Sequence, residues 1–319
     1  MRVDQPQDTR CSVYRSQVHT PNFFFIASNV MGMVVCYIME RYARVDFINR
    51  RLISEKQGQL QVERNELYEK NQMIKIELEL AKKIQQHIIP QTPPNDFIYS
   101  LYKPMEEVGG DYYDFVEFED KKKIGIFLSD VSGHGVPAAF ITSMIKSIVV
   151  QAQTSAEDPA QLLSRLNHLL VNMTDDNFIT AFYGIYDFEK RTFLYASAGH
   201  NPPYVCISGR VATLKTTVSH VPIGFLENDE LSAKKKSYKN YRVVLPQKAK
   251  LVLYTDGLTE ARKGEDESVF FYDVIETTML KFRSLKPIDF VNNLYQDLVK
   301  FRGSENFDDD ICLICLDVE

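Results

Sequence analysis

Neither of the common glycine-rich phosphate loops occurs in this sequence: there is no Walker motif and no G-x-G-x-x-G. That removes the usual signatures of a nucleotide cradled at a helix N-terminus. Histidine is scarce, at six in 319 residues, and none has zinc-ligand spacing. Cysteine is also sparse. The five present are odd in number and widely scattered, so they make no disulfide framework and fit a reducing compartment. Cys312 and Cys315 have C-x-x-C spacing but lie in the apolar run ICLICLDV. Residues three apart on a strand point to opposite faces, which predicts two buried thiols rather than a redox pair. Positive charge is not in excess either. The 37 Lys and Arg against 43 Asp and Glu give a net charge of -6, which argues against nucleic acid as a partner. The basic runs at 121–123 and 234–236 read as solvated loop tips.

What is present divides into three regions. Residues 1–20 form a short N-terminal segment. Residues 21–39, PNFFFIASNVMGMVVCYIM, carry no charge, close to the roughly 20 residues a membrane-crossing helix needs. A buried helix is the alternative. A signal peptide fits less well, because ERYARVDFINRR follows in place of a small-residue cleavage site. Arg41, Arg44, Arg50 and Arg51 crowd the C-terminal flank. The positive-inside rule therefore predicts a single-pass protein of the cytoplasmic (inner) membrane with everything after the span in the cytoplasm.

Residues 40–89 are polar and predicted to be helical. Ile53, Leu60, Leu67, Ile74, Ala81 and Ile88 recur every seven residues, one seam of a coiled coil. The companion seam is poor: Gln57, Arg64, Asn71, Leu78 and Gln85. A weak coil beneath a membrane span suits a homodimeric signal transmitter, and a plain spacer suits it equally. Pro90, Pro93 and Pro94 end the helix.

From residue 95 onward, strand-like runs alternate with turns, and helical spacing occurs at about 135–153, 158–173, 272–282 and 287–301. The short connections predict an α/β domain over 95–319 with a largely antiparallel sheet core. Its chemistry candidates are acids at strand ends. Asp130 follows IGIFLS, Asp256 follows LVLYT, Asp111 follows a glycine pair, and Asp308, Asp309 and Asp310 precede ICLICL. Taken singly, each is better read as a turn former or a helix cap. Converging, they would repel one another unless a hard divalent cation held them together. VGGDYYDF, at 108–115, contains GGD but lacks the acidic fourth residue of a GGDEF cyclase signature. Ser132 in VSGHG is not in a G-x-S-x-G elbow, so a triad from Ser132, His134 or His200 is the weaker reading.

Taken in order, these blocks resemble the SpoIIE-type branch of the PPM (type 2C) metal-dependent serine/threonine phosphatases. AKKIQQHIIPQTPP, VGGDYYDF, FLSDVSGHGVPAAF, FITAFYGIYD, YASAGHNPPYV, VPIG, LVLYTDGLTEA and FDDDICLICL carry the likeness across about residues 80–319. The resemblance implies a sandwich of two antiparallel β-sheets flanked by helices, with two Mn²⁺ or Mg²⁺ ions at one end. It implies Asp111, Asp130 and the Val131 carbonyl as metal ligands, completed by Asp256 and Asp309. Asp309 is preferred over Asp308 because the family pattern is Asp-Asp-apolar. It further implies hydrolysis of phosphoserine or phosphothreonine on a regulatory protein, such as an anti-sigma-factor antagonist, by a metal-activated water. A metal-bound water or His134 is the candidate proton donor to the leaving oxygen, and His200 reads as a loop-ordering residue. No equivalent of the phosphate-gripping arginine of eukaryotic members is found. A catalytically silent scaffold of the same fold is the alternative, and retention of all four acids argues against it.

Overall fold

The computed structural model describes residues 10–119, 121–133, 135–152, 157–174, 177–216, 221–264 and 268–319, with side chains from residue 22. The chain divides into two compact units, Met1–Ile74 and Lys75–Glu319. Helix α1 (Arg10–Ile88) supplies all the described structure of the first unit and opens the second. Every side chain from 22 to 77 is exposed, including Phe23, Phe24 and Phe25. The stretch is long and apolar enough to cross a membrane, with a mean hydropathy of 1.7 over its best window. In the second unit the last turns of α1 change character. Leu78, Ala81 and Ile88 are half-buried and Gln85 is buried, a three-to-four-residue spacing that marks one packed helix face.

The second unit is a sandwich of two antiparallel sheets, as the family resemblance implies. One sheet has the order β1 (Ile98–Lys103), β10 (Ile311–Asp317), β9 (Lys250–Tyr254), β6 (Tyr204–Ile207), β7 (Arg210–Thr213). The other has the order β2 (Tyr112–Glu117), β3 (Lys123–Val131), β4 (Ile179–Asp187), β5 (Thr192–Ala198), β8 (Tyr241–Val244). Strand β10 shows how period-2 burial builds the layers. Cys312, Ile314 and Leu316 join the core between the sheets, while Ile311, Leu313 and Cys315 face the core under the outer helices. The two cysteines thus point to opposite faces, as expected, and both are free thiols.

Helices cover both outer faces. Helices α2 (Val136–Gln151) and α3 (Pro159–Leu170) pack on the second sheet. The short α4 (Asn228–Ala233) follows β7, and the single turn α5 (Asp256–Thr259) follows β9. Helices α6 (Ile275–Phe282) and α7 (Pro287–Arg302) cover the first sheet. Their ends follow local rules. Asp158 caps α3 by accepting the Gln161 N–H at 3.0 Å, and Pro159 occupies the first turn. Helix α7 starts with Pro287 and stops at Gly303, whose φ of 80° is left-handed.

Antiparallel pairing fixes where the acids meet. Strand β3 ends where β2 begins, and β9 ends where β10 begins. All four ends open at one edge of the sandwich.

Candidate active site

At that edge lies a cleft of about 180 Å³, lined in part by Gly110, Asp130, Val131, Asp256, Asp309 and Asp310. Asp130 and Val131 come from the tip of β3, Asp256 opens α5 directly after β9, and Asp309 precedes β10. Asp111 sits just behind, fully buried, at the head of β2. The structure therefore gathers Asp111, Asp130, Val131, Asp256 and Asp309, the residues the sequence singles out. His134 lies outside the described residues. Among the described residues no three His, Cys, Asp or Glu side chains close on one point, so the acids line a cleft rather than forming a finished cage.

The Gly109–Gly110 pair works through closeness. A Cβ on Gly110 would stand 2.6 Å from the Val131 carbonyl oxygen, and one on Gly109 would collide with the Asp310 carboxylate. Neither position has a left-handed φ, so tight backbone approach, not a special turn, demands glycine here. Asp310 is the anchor of this loop. Its Oδ1 accepts the Met105 N–H at 2.7 Å, and its Oδ2 accepts the N–H groups of Gly110 at 2.7 Å and Asp111 at 3.3 Å. Thr255 adds a second tie: its hydroxyl donates to Asp111 at 2.6 Å and accepts the Cys312 N–H at 2.9 Å. Gln85 adds a third from α1, donating to the Gly109 carbonyl at 2.7 Å and accepting its N–H at 3.1 Å. As a companion-seam residue Gln85 reads as a flaw in a coil; here it is a two-point clamp on the loop that carries Asp111.

The remaining residues of VGGDYYDF are structural. Tyr113 is hydrogen-bonded across the sandwich to Ser100 at 3.0 Å. Asp114 is buried and accepts from both Tyr112 and Lys146 at 2.8 Å, tying β2 to α2.

Electrostatically the cleft is a cluster of acids that raise one another's pKa. Burial, then Asp256 and Asp309, push the Asp130 carboxyl up to about 8. Burial, then Asp130 and Asp310, raise Asp111 well above the usual range against the opposing hydrogen bond from Thr255. Burial and Glu260 raise Asp256. Among the described residues no Lys or Arg lines the cleft. An all-oxygen, mutually repelling donor set suits a hard divalent cation such as Mg²⁺ or Mn²⁺.

This has a measurable consequence. The folded-state value of Asp130 lies above its unfolded value, so its contribution to stability is whole below the ordinary carboxylate range and lost as pH rises through about 8. Metal-stripped protein should melt at progressively lower temperature as the pH is raised across that window. Added Mn²⁺ should restore the melting point most at the alkaline end. A flat melting profile would show that the acids do not repel one another.

His200 is buried and fully bonded. Its Nδ1 is 2.8 Å from the Thr180 hydroxyl and its Nε2 is 3.1 Å from the Tyr254 carbonyl. Burial lowers its pKa to about 4, so it is neutral at ordinary pH. It bridges the two sheets beside the cleft and orders its loop, in line with the sequence reading.

Comparison with known proteins agrees with this geometry. Residues 120–319 match the family model for stage II sporulation protein E (SpoIIE). The phosphoserine phosphatase RsbU of Bacillus subtilis is 32% identical over 245 residues, covering 75% of this chain and 69% of the relative. The phosphoserine phosphatase RsbP of the same organism is 28% identical over 254 residues, covering 77% and 58% respectively. The SiaA PP2C domain of Pseudomonas aeruginosa superposes with a TM-score of 0.66 at 22% identity, covering 78% of this chain and 98% of that domain.

Proposed function

This chain belongs to the SpoIIE family of PP2C-fold protein phosphatases, and we propose that it hydrolyses phosphoserine or phosphothreonine on a regulatory protein, tethered to the membrane and using two divalent cations. One observation carries the reading: Asp130, Asp256 and Asp309, from three separate strand ends, line one cleft, and Asp111, from a fourth, is buried directly behind it. Asp111, Asp130, Asp256, Asp309 and the Val131 carbonyl would hold the cations. When bound, such ions supply Lewis acidity, lowering the pKa of water and drawing charge from the phosphoryl oxygens.

The chain's own residues do the rest. Asp130 and Val131 sit at a strand end and Asp256 at the start of α5, so these groups are held on regular secondary structure. Ser132 accepts the Phe178 N–H at 2.8 Å while its own N–H donates to the Phe178 carbonyl at 2.9 Å. The Ser132 hydroxyl thus keeps its proton for a phosphate oxygen in a cleft that offers no arginine among the described residues. His134 is assigned, from the sequence alone, as proton donor to the leaving seryl oxygen.

Residues 21–39 are assigned to a membrane span, 40–89 to a helical linker that pairs two copies, and 95–319 to the cytoplasmic phosphatase domain. The full apolar exposure of residues 22–39 supports the first assignment, and the arginine-rich flank supports the orientation. The test is phosphate release from a phosphoserine peptide by the full chain purified in detergent. Release is expected with Mn²⁺ or Mg²⁺ and not with a chelator. Release that survives chelation, or none under either condition, defeats the reading.

A further inference from the structure

His200 and Thr180 have a use beyond joining the sheets. Thr180 lines the cleft and is the cross-strand partner of Asp130 in the β3–β4 pair. Its hydroxyl lies 2.8 Å from His200 Nδ1, and His200 Nε2 lies 3.1 Å from the Tyr254 carbonyl. A carbonyl only accepts, so Nε2 must carry the ring hydrogen. A neutral imidazole has only one such hydrogen, which leaves a bare lone pair on Nδ1. The Thr180 hydroxyl must then donate to His200. Its hydrogen is committed backward, and only its oxygen lone pairs remain for the cleft. Burial of His200, which holds its pKa at about 4, keeps this polarity from reversing at ordinary pH.

We propose that Thr180 is the hydrogen-bond acceptor that orients the attacking water, and that His200 makes it one by accepting its hydroxyl hydrogen. The proposal rests on the phosphatase reading above. To attack phosphorus, a water must aim a lone pair at it and turn its hydrogens away, which requires acceptors on the cleft wall. Asp130 offers one and Thr180, beside it, the other. A hydroxyl free to donate at this place would bind a phosphate oxygen instead, as Ser132 is placed to do. In the step itself the water oxygen bonds to phosphorus as the bond from phosphorus to the seryl oxygen breaks. One water proton stays on the phosphate formed and the other ends on the seryl oxygen. Thr180 takes neither; it positions.

The experiment compares wild type, Thr180→Val and Thr180→Ser in the full chain, with a phosphoserine peptide and Mn²⁺. Thr180→Val should lower kcat by about 10- to 100-fold, with KM and the calorimetric Mn²⁺ affinity unchanged. Thr180→Ser should recover most of the loss. Separately, ¹⁵N NMR of histidine-labelled protein, with His200 assigned by its loss in His200→Gln, should find the Nε2–H tautomer across about pH 5.5 to 8.5. A Thr180→Val enzyme with wild-type kcat overturns the proposal. So does a loss that falls on KM or Mn²⁺ affinity, or a His200 signal of the Nδ1–H tautomer or the imidazolium. Wild-type turnover with an unaffected Thr180→Val variant removes this proposal alone, whereas a wild type without turnover removes the phosphatase reading as well.

Discussion

Asp130→Asn and Asp256→Asn are each expected to lower turnover of a phosphoserine peptide by about 100-fold or more, and at the same time to raise the melting temperature of the metal-free protein at alkaline pH. The two effects share one cause. Both carboxylates are half-buried, and Asp256 is the main neighbouring charge that disfavours ionised Asp130. An amide keeps the shape and removes the charge, so it relieves the repulsion while deleting a cation ligand. A residue that merely supported the fold would lower both activity and stability. Paired measurement of turnover and of metal-free melting at about pH 8.5 separates the cases. A variant that loses stability along with activity would move that aspartate from the ligand set to the scaffold.

Asp310→Ala should be the most destabilising single change near the cleft, costing about 3 kcal/mol or more in denaturant unfolding. It would leave the N–H groups of Met105, Gly110 and Asp111 without their acceptor. The Gly109–Gly110 stretch of this loop is too tightly packed to admit a side chain, as its contacts with Asp310 and Val131 make plain. Asp310→Asn should cost less. Its carbonyl oxygen can still accept from Gly110 and Asp111, but its amide then faces the Met105 N–H donor to donor. Equal stabilities for the two variants would contradict the anchoring role.

Asp310 also marks the limit of what could be read from sequence. Three consecutive aspartates are chemically identical, and only the chain path distinguishes them. Asp308 is exposed and pairs with Arg302 at 3.0 Å, Asp309 lines the cleft, and Asp310 turns inward to the glycine loop. The strong strands were legible because their apolar runs are buried on both faces, as in β4, β9 and β10. The edge strands β1 and β7 were not. Most of their side chains are half-buried or exposed, so they carry no alternating signal. The acids were legible because each lies where a strand meets a turn. Thr180 and Thr255 were not, since a lone hydroxyl in a strand has no distinguishing neighbour until the fold supplies His200 or Asp111. Gln85 was misleading for a physical reason: a polar residue in a heptad seam signals weak pairing, yet here it meets a glycine backbone that only a side-chain amide can match on both sides.

The central claim is that these carboxylates exist to hold divalent cations for hydrolysis. Calorimetric titration of the full chain with Mn²⁺, alongside Asp309→Asn, tests it most directly. The account predicts two Mn²⁺ bound per wild-type chain, with binding weakened by about 10- to 100-fold at one site or more in the variant. Mn²⁺ binding that is absent in wild type, or unchanged in Asp309→Asn, would contradict it.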